Sequence, residues 1–354
     1  MKRLFFSLVI PCHNSADTVG RLLTSIAASK DAPALEVILV DDASRIPLRL
    51  QSIEGYKRTA GRQPFPLRIL RLEKNVGPAV ARNKGVALSR GTFIVFLDGD
   101  VELFPDALSN LATIYRDDPD IVAVTGVWVK QQRSKSFFPN FKALRDWSYW
   151  IHERDKGGYY YLFSTRIASI KKTVFLRLGG FDESYAAPLV EDIELTYRIA
   201  RRYAIIFAPN VRVRHEFENF WPIAKKYFLR AYYWTRLYKR RKKFDPVATT
   251  ITEAITAVSG VAVIGFGLIA IATLPSLPLI IFVRNQAASV WYQLALVNYE
   301  LFLLSVIGHF VLVRRFIELA YKEKGFVFAV KSFFVGLVLY CFISAGAMWG
   351  RLRS

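Results

Sequence analysis

The segment Phe93-Ile-Val-Phe-Leu-Asp-Gly-Asp100 is the most informative one for predicting the fold. Its five apolar residues indicate a strand that is buried on both faces, and Gly91 suits the end of a preceding helix. Similar strand-like runs occur at Leu4–Ile10, Leu35–Val40, Leu67–Leu72 and Ile121–Val129. Helical patterns at residues 17–29, 78–89 and 105–116 separate them, whereas the polar and aromatic residues 130–161 indicate a mobile lid or an acceptor loop. Alternating strands and helices predict an α/β fold with a parallel, doubly wound sheet.

Polar residues follow three of these predicted strands. The segments are Pro11-Cys-His-Asn14, Asp41-Asp-Ala-Ser44 and Asp98-Gly-Asp100. Ligands of a doubly wound sheet bind beyond the carboxyl ends of its strands, and carboxylates there favour a hard divalent cation held together with substrate phosphates. A carboxylate such as Asp42 can accept a hydrogen bond from a nucleobase imide or from ribose hydroxyls. An isolated Asp-Gly-Asp also fits a simple acidic turn, and the two other strand ends favour the ligand site.

The segment Asn75-Val-Gly-Pro-Ala-Val-Ala-Arg-Asn83 leads into the second predicted helix. Pro78 directly after Gly77 suits the first position of a helix. Arg82 is then predicted near the same edge of the sheet, where its guanidinium would bind phosphate through two parallel hydrogen bonds. The alternative is that Arg82 and Asn83 belong to a solvated face of this helix.

Charge and hydropathy predict a membrane region in the last third of the chain. The 354 residues carry a net charge of +20, and residues 219–244 contain no acid while basic and aromatic residues alternate. This stretch is predicted to lie on the anionic inner surface of a membrane. Three apolar segments follow, at residues 254–274, 288–313 and 326–350. Each is long enough for a helix to cross a bilayer core of about 30 Å.

The basic residues also predict an orientation. They cluster before the first apolar segment and between the second and third, and cytoplasmic loops carry an excess of Lys and Arg. We therefore expect a multi-pass protein of the cell inner membrane with residues 1–216 in the cytoplasm and the tail on the far side. The start, Met1–Ile10, is similar to a secretion signal, but no small-residue cleavage site follows, so a strand is predicted there.

Seven motifs occur along the chain, in the order Val9-Ile-Pro-Cys-His-Asn14, Val40-Asp-Asp-Ala-Ser44, Asn75–Asn83, Phe96-Leu-Asp-Gly-Asp100, Leu178-Gly-Gly-Phe-Asp-Glu183, Glu191-Asp-Ile-Glu-Leu195 and His215. Taken in this order, they resemble the motifs of family-2 glycosyltransferases. The resemblance implies the GT-A fold, the Rossmann-like α/β fold of nucleotide-diphospho-sugar transferases, for residues 1–216. A basic aromatic linker at residues 217–250 and an α-helical transmembrane region at residues 251–354 complete the predicted domains.

The resemblance also implies roles for individual residues. Pro11 and Asp42 would lie against the nucleobase, and Asp98 would lie near the ribose and the diphosphate. Asp100 would bind Mg²⁺ or Mn²⁺, and His215 would complete the shell of the metal or the diphosphate. A lone histidine is as often structural, and Arg212 and Arg214 are alternatives for the diphosphate. The residues predicted to bind the nucleotide sugar are Pro11, Asn14, Asp42, Arg82, Asn83, Asp98 and Asp100.

Glu191 and Asp192 are the predicted catalytic pair. By resemblance, Asp192 is the general base, and Glu191 positions an acceptor hydroxyl or Asp192 itself. A carboxylate within hydrogen-bond reach of a sugar hydroxyl can remove its proton as the new bond forms. The alternative is an acidic helix start that the helix dipole stabilises.

Together these features predict an inverting transfer of a sugar from a nucleotide-diphosphate donor to a hydroxyl of a lipid-linked or cell-envelope glycan. A polyprenyl phosphate is the main alternative acceptor, because it already carries negative charge and needs little base catalysis. The Gln-x-x-Arg-Trp signature of processive synthases does not follow the predicted base. A nucleotidyltransferase and a membrane-tethered nucleic-acid binder are less favoured, and nucleic acid is not an expected partner.

Overall fold

The computed structural model of the protein describes residues 4–49, 53, 65–150, 161–185, 189–242, 244, 250–274 and 286–353. Contacts between residues divide the chain into two compact units. The first comprises Met1–Ala143 and Asp155–Phe217, and the second comprises Leu144–Arg154 and Glu218–Ser354. The predicted boundary at residue 216 lies beside this division. The basic aromatic linker, however, belongs to the same unit as the membrane region.

The described residues of the first unit form one eight-stranded sheet. Its strands are β1 (Phe6–Cys12), β2 (Leu35–Asp41), β3 (Leu67–Arg71), β4 (Phe93–Leu97), β5 (Val101–Leu103), β6 (Ala123–Trp128), β7 (Ile167–Lys171) and β8 (Ile205–His215). The helices up to its end are α1 (Ala16–Ala27), α2 (Pro78–Leu88), α3 (Ala107–Asp117), α4 (Phe137–Ser148), α5 (Lys172–Arg177) and α6 (Glu191–Ala200). The elements predicted up to residue 129 are present, with ends shifted by no more than about two residues.

The strands are not all parallel. Their order is β3-β2-β1-β4-β7-β6-β8-β5, and β3, β2, β1 and β4 run in the same direction, as predicted. β7 is antiparallel to both β4 and β6, and β5 is antiparallel to β8. Because β7 is antiparallel to both β4 and β6, the predicted strand β6 runs in the same direction as β1 to β4, and β7 and β5 make the sheet mixed rather than wholly parallel. A buried apolar strand has the same residue pattern in either direction, so its direction depends on the connection that precedes it.

The central strands form the core. Every residue of β2 and β4 is buried, and α2 packs closely on this layer. A Cβ atom on Gly85 of α2 would lie 2.5 Å from Cγ1 of Val9 in β1, so a residue with a side chain does not fit there. Burial of apolar surface contributes about 25 cal/mol per Å². The strand ends that carry the candidate site are thus fixed by a densely packed interior.

The stretch predicted as a mobile lid contains regular structure. Residues Phe137–Ser148 form α4, and Phe141 and Leu144 of this helix are buried. Part of the stretch predicted as a lid or an acceptor loop is therefore helical, its role stays a prediction, and residues 151–160 lie outside the described residues. Aromatic residues at helical spacing account for the difference, because Phe137, Phe138 and Phe141 form one apolar face.

Four long helices form most of the second unit. They are α7 (Phe220–Arg241), α8 (Ile251–Thr273), α9 (Gln286–Lys324) and α10 (Phe326–Leu352). The last three are long and apolar enough to cross a membrane, and they contain the predicted spans almost entirely. Helix α9 continues past the predicted end at residue 313 because the charged residues after it still have a helical pattern.

Helix α7 packs along α10 at two glycines spaced four residues apart. A Cβ atom on Gly346 would lie 2.1 Å from the carbonyl oxygen of Phe228, and one on Gly350 would lie 2.7 Å from that of Tyr232. Small residues at this spacing let two helix backbones approach closely. Near the ends of both helices, Nζ of Lys239 donates a hydrogen bond to the carbonyl oxygen of Arg351 at 3.0 Å.

Arg145, in the last turn of α4, lies within the second unit. Its Nη1 and Nη2 atoms donate hydrogen bonds to the hydroxyls of Tyr227 in α7 and Tyr340 in α10, at 3.2 and 3.1 Å. The guanidinium also lies over the faces of both tyrosine rings. Arg145 therefore connects the end of α4 to α7 and α10 through hydrogen bonds.

Candidate active site

The ends of β1, β2 and β4 lie side by side, because these strands are neighbours and parallel. Gly99, which follows β4, is so close to β1 that a Cβ atom on it would lie 3.3 Å from the carbonyl oxygen of Pro11. Pro11 itself pairs with Val40 of β2. The three polar segments singled out in the sequence therefore meet at one edge of the sheet.

Asp42 fixes the loop that precedes α2. Its carboxylate is buried, and Oδ1 and Oδ2 accept hydrogen bonds from the backbone N–H groups of Val76 and Gly77, both at 2.8 Å. A carboxylate oxygen can accept more than one hydrogen bond, so the geometry is compatible with a further donor. Direct contact of Asp42 with a nucleobase stays a prediction.

Asn14 joins the loops after β1 and β2. It has a positive φ of 52°, which asparagine tolerates better than most residues. Its backbone N–H donates to Oγ of Ser44 at 2.9 Å, and its Oδ1 accepts from the N–H of Arg45 at 2.9 Å. The observed bonds of Asn14 are therefore structural, and its predicted contact with the donor remains untested.

Two neighbours of these residues are also structural. Asp41 is fully buried and accepts hydrogen bonds from the Ser44 and Leu48 N–H groups and from Arg71. Burial alone would raise the pKa of the Asp41 carboxyl, but these hydrogen bonds outweigh it and hold the pKa below its usual value. Burial raises the pKa of the Cys12 thiol to about 12, so a reactive thiolate is not present near neutral pH.

Arg82 connects two of the predicted acids. It is 2% exposed, and its Nη1 donates to Oε1 of Glu191 while its Nη2 donates to Oδ1 of Asp98, both at 2.8 Å. Its guanidinium also lies 5.4 Å from the centre of the Phe181 ring. Burial alone would lower the pKa of Arg82, but Asp98, Glu191 and Asp192 outweigh it and raise the pKa above its usual value. Arg82 therefore remains a cation, and both of its terminal nitrogens are engaged by protein carboxylates.

Asn83 holds the glycine turn of the Leu178–Glu183 motif. Its Nδ2 donates to the carbonyl oxygen of Phe181 at 2.9 Å, and its Oδ1 accepts from the N–H of Phe181 at 2.9 Å. Gly180 has a φ of +73°, and a Cβ atom there would lie 2.7 Å from Oδ1 of Asn83. The structure thus gives Asn83 a role in shaping this turn, and its predicted contact with the donor stays a prediction.

Glu191 and Asp192 begin helix α6, as the helix-dipole interpretation expects. Glu191 is buried against Arg82, whereas Asp192 is partly exposed and its Oδ1 accepts a hydrogen bond from the N–H of Ile193 at 2.8 Å. The hydroxyl of Thr196 donates to the carbonyl oxygen of Asp192 at 2.7 Å. Of the two acids, Asp192 is the one that is partly exposed to solvent.

Asp100 and His215 form a pair. Asp100 precedes β5, His215 ends β8, and these strands are antiparallel with Val101 opposite His215. Oδ2 of Asp100 lies 3.5 Å from Nε2 of His215. A carboxylate oxygen and an imidazole nitrogen at this separation suit a shared divalent cation whose other ligands are phosphates and water. Among the residues that the structure describes, no group of three or more His, Cys, Asp or Glu side chains forms a metal site.

The two arginines before His215 point away from this pair. Side chains alternate across a strand, so Arg212 and Arg214 lie on the face opposite His215. Both guanidinium groups lie over the ring of Phe104, and Arg212 also pairs with Asp106 at 3.2 Å. The alternative that they serve a diphosphate beside His215 is not supported by this geometry.

A cluster of cations and aromatic rings borders the pair, and no sequence motif indicates it. The ring of Phe217 lies 4.5 Å from the ring of His215. Lys142 lies 5.0 Å from the centre of the Phe217 ring, and Arg166 lies 4.4 Å from the centre of the Trp128 ring. These residues come from four separate parts of the chain, so only the tertiary structure brings them together.

Comparison with known proteins identifies the class of this chain. The model of Glycosyl transferase family 2 matches residues 7–174, which include β1 to β7 and the Asp98-Gly-Asp100 segment. Residues 7–174 are thus similar to the catalytic domain of glycosyltransferase family 2. Its first unit, a Rossmann-like mixed sheet with helices, has the GT-A fold, and three long apolar helices follow it.

Several relatives are similar over the first part of the chain. Succinoglycan biosynthesis protein ExoO of Rhizobium meliloti is 33% identical over 131 residues, which are 34% of this chain and 34% of that protein. Dodecaprenyl-phosphate galacturonate synthase of Rhizobium johnstonii is 30% identical over 140 residues, 39% of each chain. The chain spans about a third of the length of the curated relatives it matches.

A solved structure supports the fold over the whole chain. It is the mannosyltransferase PcManGT from Pyrobaculum calidifontis in complex with GDP-Man and Mn²⁺. The TM-score is 0.57 at 17% identity, and the match covers 100% of this chain and 89% of that one. At this level of identity the likeness concerns the fold.

Proposed function

We propose that this protein is an inverting glycosyltransferase that moves a sugar from a nucleotide-diphosphate donor to a hydroxyl of a lipid-linked or cell-envelope glycan. The observation that carries the proposal is the arrangement of acids at one sheet edge. One buried guanidinium, that of Arg82, holds both Asp98 and Glu191, and Asp100 lies two residues further on beside His215. The match of residues 7–174 to the model of Glycosyl transferase family 2 supports this assignment.

The donor side of the site would be the edge formed by β1, β2 and β4. Pro11 and Asp42 border the space for the nucleobase, and Asp98 borders the space for the ribose and the diphosphate. Asp100 and His215 would hold Mg²⁺ or Mn²⁺, and such a cation would neutralise charge on the departing nucleoside diphosphate. The complex of PcManGT contains Mn²⁺, so Mn²⁺ is the first metal to test with this protein.

The acceptor side would be served by Asp192. Glu191 is held in place by Arg82, which fixes the start of α6 and so the neighbouring Asp192. In its ionised form, Asp192 would accept the proton of the acceptor hydroxyl as that oxygen attacks the anomeric carbon from the side opposite the diphosphate. Attack from that side inverts the configuration, and general base catalysis contributes about 10² to 10⁴ in rate.

The location that we propose is the cytoplasmic face of the cell inner membrane. Three helices long and apolar enough to cross a bilayer support it, as does the basic aromatic sequence of α7. Anionic lipids would interact with the exposed Lys and Arg side chains of α7, with about 1 kcal/mol for each such side chain near the surface. A lipid-linked acceptor would then be available at the same surface.

The central test is the substitution Asp192→Asn in the full-length protein. An amide cannot take up the proton of the acceptor hydroxyl, so we expect transfer to fall by at least about 10²-fold. Binding of the nucleotide sugar in the presence of Mn²⁺ should stay within about twofold of the wild type. Transfer is measured with a panel of radiolabelled nucleotide sugars on membranes, and binding by calorimetry in detergent.

Glu194→Gln is the matched control for this test. Glu194 lies in the same first turn of α6, but it pairs with Arg198 within its own helix. This variant should retain near-normal transfer. Near-normal turnover of Asp192→Asn would show that Asp192 is not the general base.

A polyprenyl phosphate remains the second candidate acceptor. The relative named dodecaprenyl-phosphate galacturonate synthase, 30% identical over 140 residues, is the observation that favours it. A phosphate oxygen is already negatively charged, so its attack does not require Asp192 as a base. Transfer to a polyprenyl phosphate that survives in Asp192→Asn would select this acceptor over a hydroxyl.

A further inference from the structure

Arg166 lies at the sheet edge that carries the candidate site. It directly precedes β7, whose first residue, Ile167, is opposite Leu97 of β4 in the antiparallel register. The next residue after Leu97 is Asp98, so the register puts Arg166 opposite Asp98. Arg166 and the first acid of the Asp98-Gly-Asp100 segment are thus neighbours at the end of adjacent strands.

The guanidinium of Arg166 is held between aromatic rings. Its Cζ atom lies 4.4 Å from the centre of the Trp128 ring and 5.8 Å from that of Phe217. The Phe217 ring in turn contacts the ring of His215, the partner of Asp100. A single aromatic ring therefore separates this cation from the pair that we propose to hold a divalent metal.

Arg166 differs from the other arginines near the site in its partners. Arg82 has both terminal nitrogens on carboxylates, and Arg212 pairs with Asp106. Arg166 is partly buried, yet its contacts within the described part of the chain are those with the Trp128 and Phe217 rings. A guanidinium has five N–H donors, and ring faces do not satisfy them along the edge of the group. Its N–H groups therefore remain available for an acceptor.

We propose that Arg166 binds the diphosphate of the nucleotide-sugar donor, a role that rests on the proposed function. The Trp128 face holds the planar group in one orientation, which suits paired hydrogen bonds to phosphate oxygens. During transfer the bond between the anomeric carbon and the diphosphate oxygen breaks, and its electron pair stays on that oxygen. The new bond forms to the acceptor oxygen, whose proton passes to Asp192. Arg166 would stabilise the negative charge that accumulates on the departing nucleoside diphosphate.

The test compares diphosphate and nucleoside binding in Arg166→Gln. The full-length protein in detergent is titrated with UDP, GDP and dTDP in the presence of Mn²⁺ by calorimetry. For the nucleotide that the wild type binds, we expect the affinity of Arg166→Gln to fall by about 10- to 100-fold. Binding of the corresponding nucleoside, followed by ligand-observed NMR, should not change, because Arg166 is expected to contact only the phosphates. Arg166→Lys should recover part of the loss, since it keeps the charge but not the fork of donors.

Arg214→Gln is the matched control, because Arg214 lies near the same edge with its guanidinium over Phe104 on the opposite face of β8. Its diphosphate affinity should equal that of the wild type. The inference about Arg166 is overturned if Arg166→Gln binds the diphosphate within twofold of the wild type. An equal loss of nucleoside and diphosphate binding would also overturn it, because that pattern indicates a structural role. A wild-type protein that binds none of the three diphosphates would instead overturn the proposed function itself, and this inference with it.

Discussion

At the scale of single residues, the guanidinium of Arg82 joins two acids that are far apart in the sequence. Asp98 directly follows the strand β4, and Glu191 begins the helix α6. The sequence predicts Arg82 as a phosphate-binding residue, and its contact with a phosphate stays a prediction. The structure shows its two terminal nitrogens on these carboxylates. The side chains of Arg82 and Glu191 are only 3% and 4% exposed, so each depends on the other for compensation of its charge.

Removal of this cation should destabilise the first unit. We expect Arg82→Met to lower the free energy of unfolding by about 3 to 5 kcal/mol, because it leaves Glu191 buried without a cation. The measurement is chemical denaturation of the detergent-solubilised protein. Arg212→Met, which breaks the exposed pair with Asp106, should cost less than about 1 kcal/mol. Equal losses for the two variants would contradict the role given to Arg82.

At the scale of elements, the sequence predicts those strands and helices whose patterns are local. The apolar runs of β1, β2 and β4 and the polar residues after them are placed as predicted, because each run is buried on both faces. The sequence does not predict the antiparallel direction of β7, because that direction depends on the connection that precedes the strand. It also does not predict helix α4, whose apolar face consists of a few aromatic residues. The partners of Arg82 and the position of Arg166 depend on strand order and register, which no local pattern specifies.

The contact between α7 and α10 depends on glycines, and this gives a second prediction. Gly346→Ala would bring a Cβ atom to within 2.1 Å of the carbonyl oxygen of Phe228, so the two helices must separate. We expect the variant to lose about 1 to 3 kcal/mol of stability, measured as a lower unfolding midpoint in detergent. Gly336→Ala on the same helix is the control, because no atom lies within 4 Å of the Cβ position there. An unchanged midpoint in Gly346→Ala would show that α7 and α10 do not pack in this way.

At the scale of the whole molecule, the orientation in the membrane is open to a direct test. Three complete crossings predict that the tail lies on the side opposite the N-terminal domain, but Lys239 of α7 contacts the backbone of Arg351 near the end of α10. Two groups in contact lie at the same membrane depth. Because α7 is proposed to lie on the cytoplasmic surface, we expect cysteines introduced by Lys239→Cys and Arg353→Cys to react with an impermeant maleimide only after permeabilisation. This result requires that α10 does not cross the membrane completely.

The labelling is carried out on intact and on permeabilised cells, with Cys12 and Cys341 replaced by alanine. The loop after α9 provides an internal reference, because Lys324 lies in the basic stretch that is expected to be cytoplasmic. Lys324→Cys should react only after permeabilisation. Reaction of Arg353→Cys in intact cells, together with protection of Lys239→Cys, would show that α10 crosses the membrane away from α7.

Because Asp98 and Glu191 share the guanidinium of Arg82, the three residues are expected to constrain one another during evolution. A mutation at residue 82, 98 or 191 alone leaves a charge mismatch that a second mutation must repair. Such sites are expected to change in concert along a lineage rather than one at a time. Homologues that have lost the arginine should therefore carry a neutral residue in place of Glu191, and an alignment of diverged homologues should show these sites covarying.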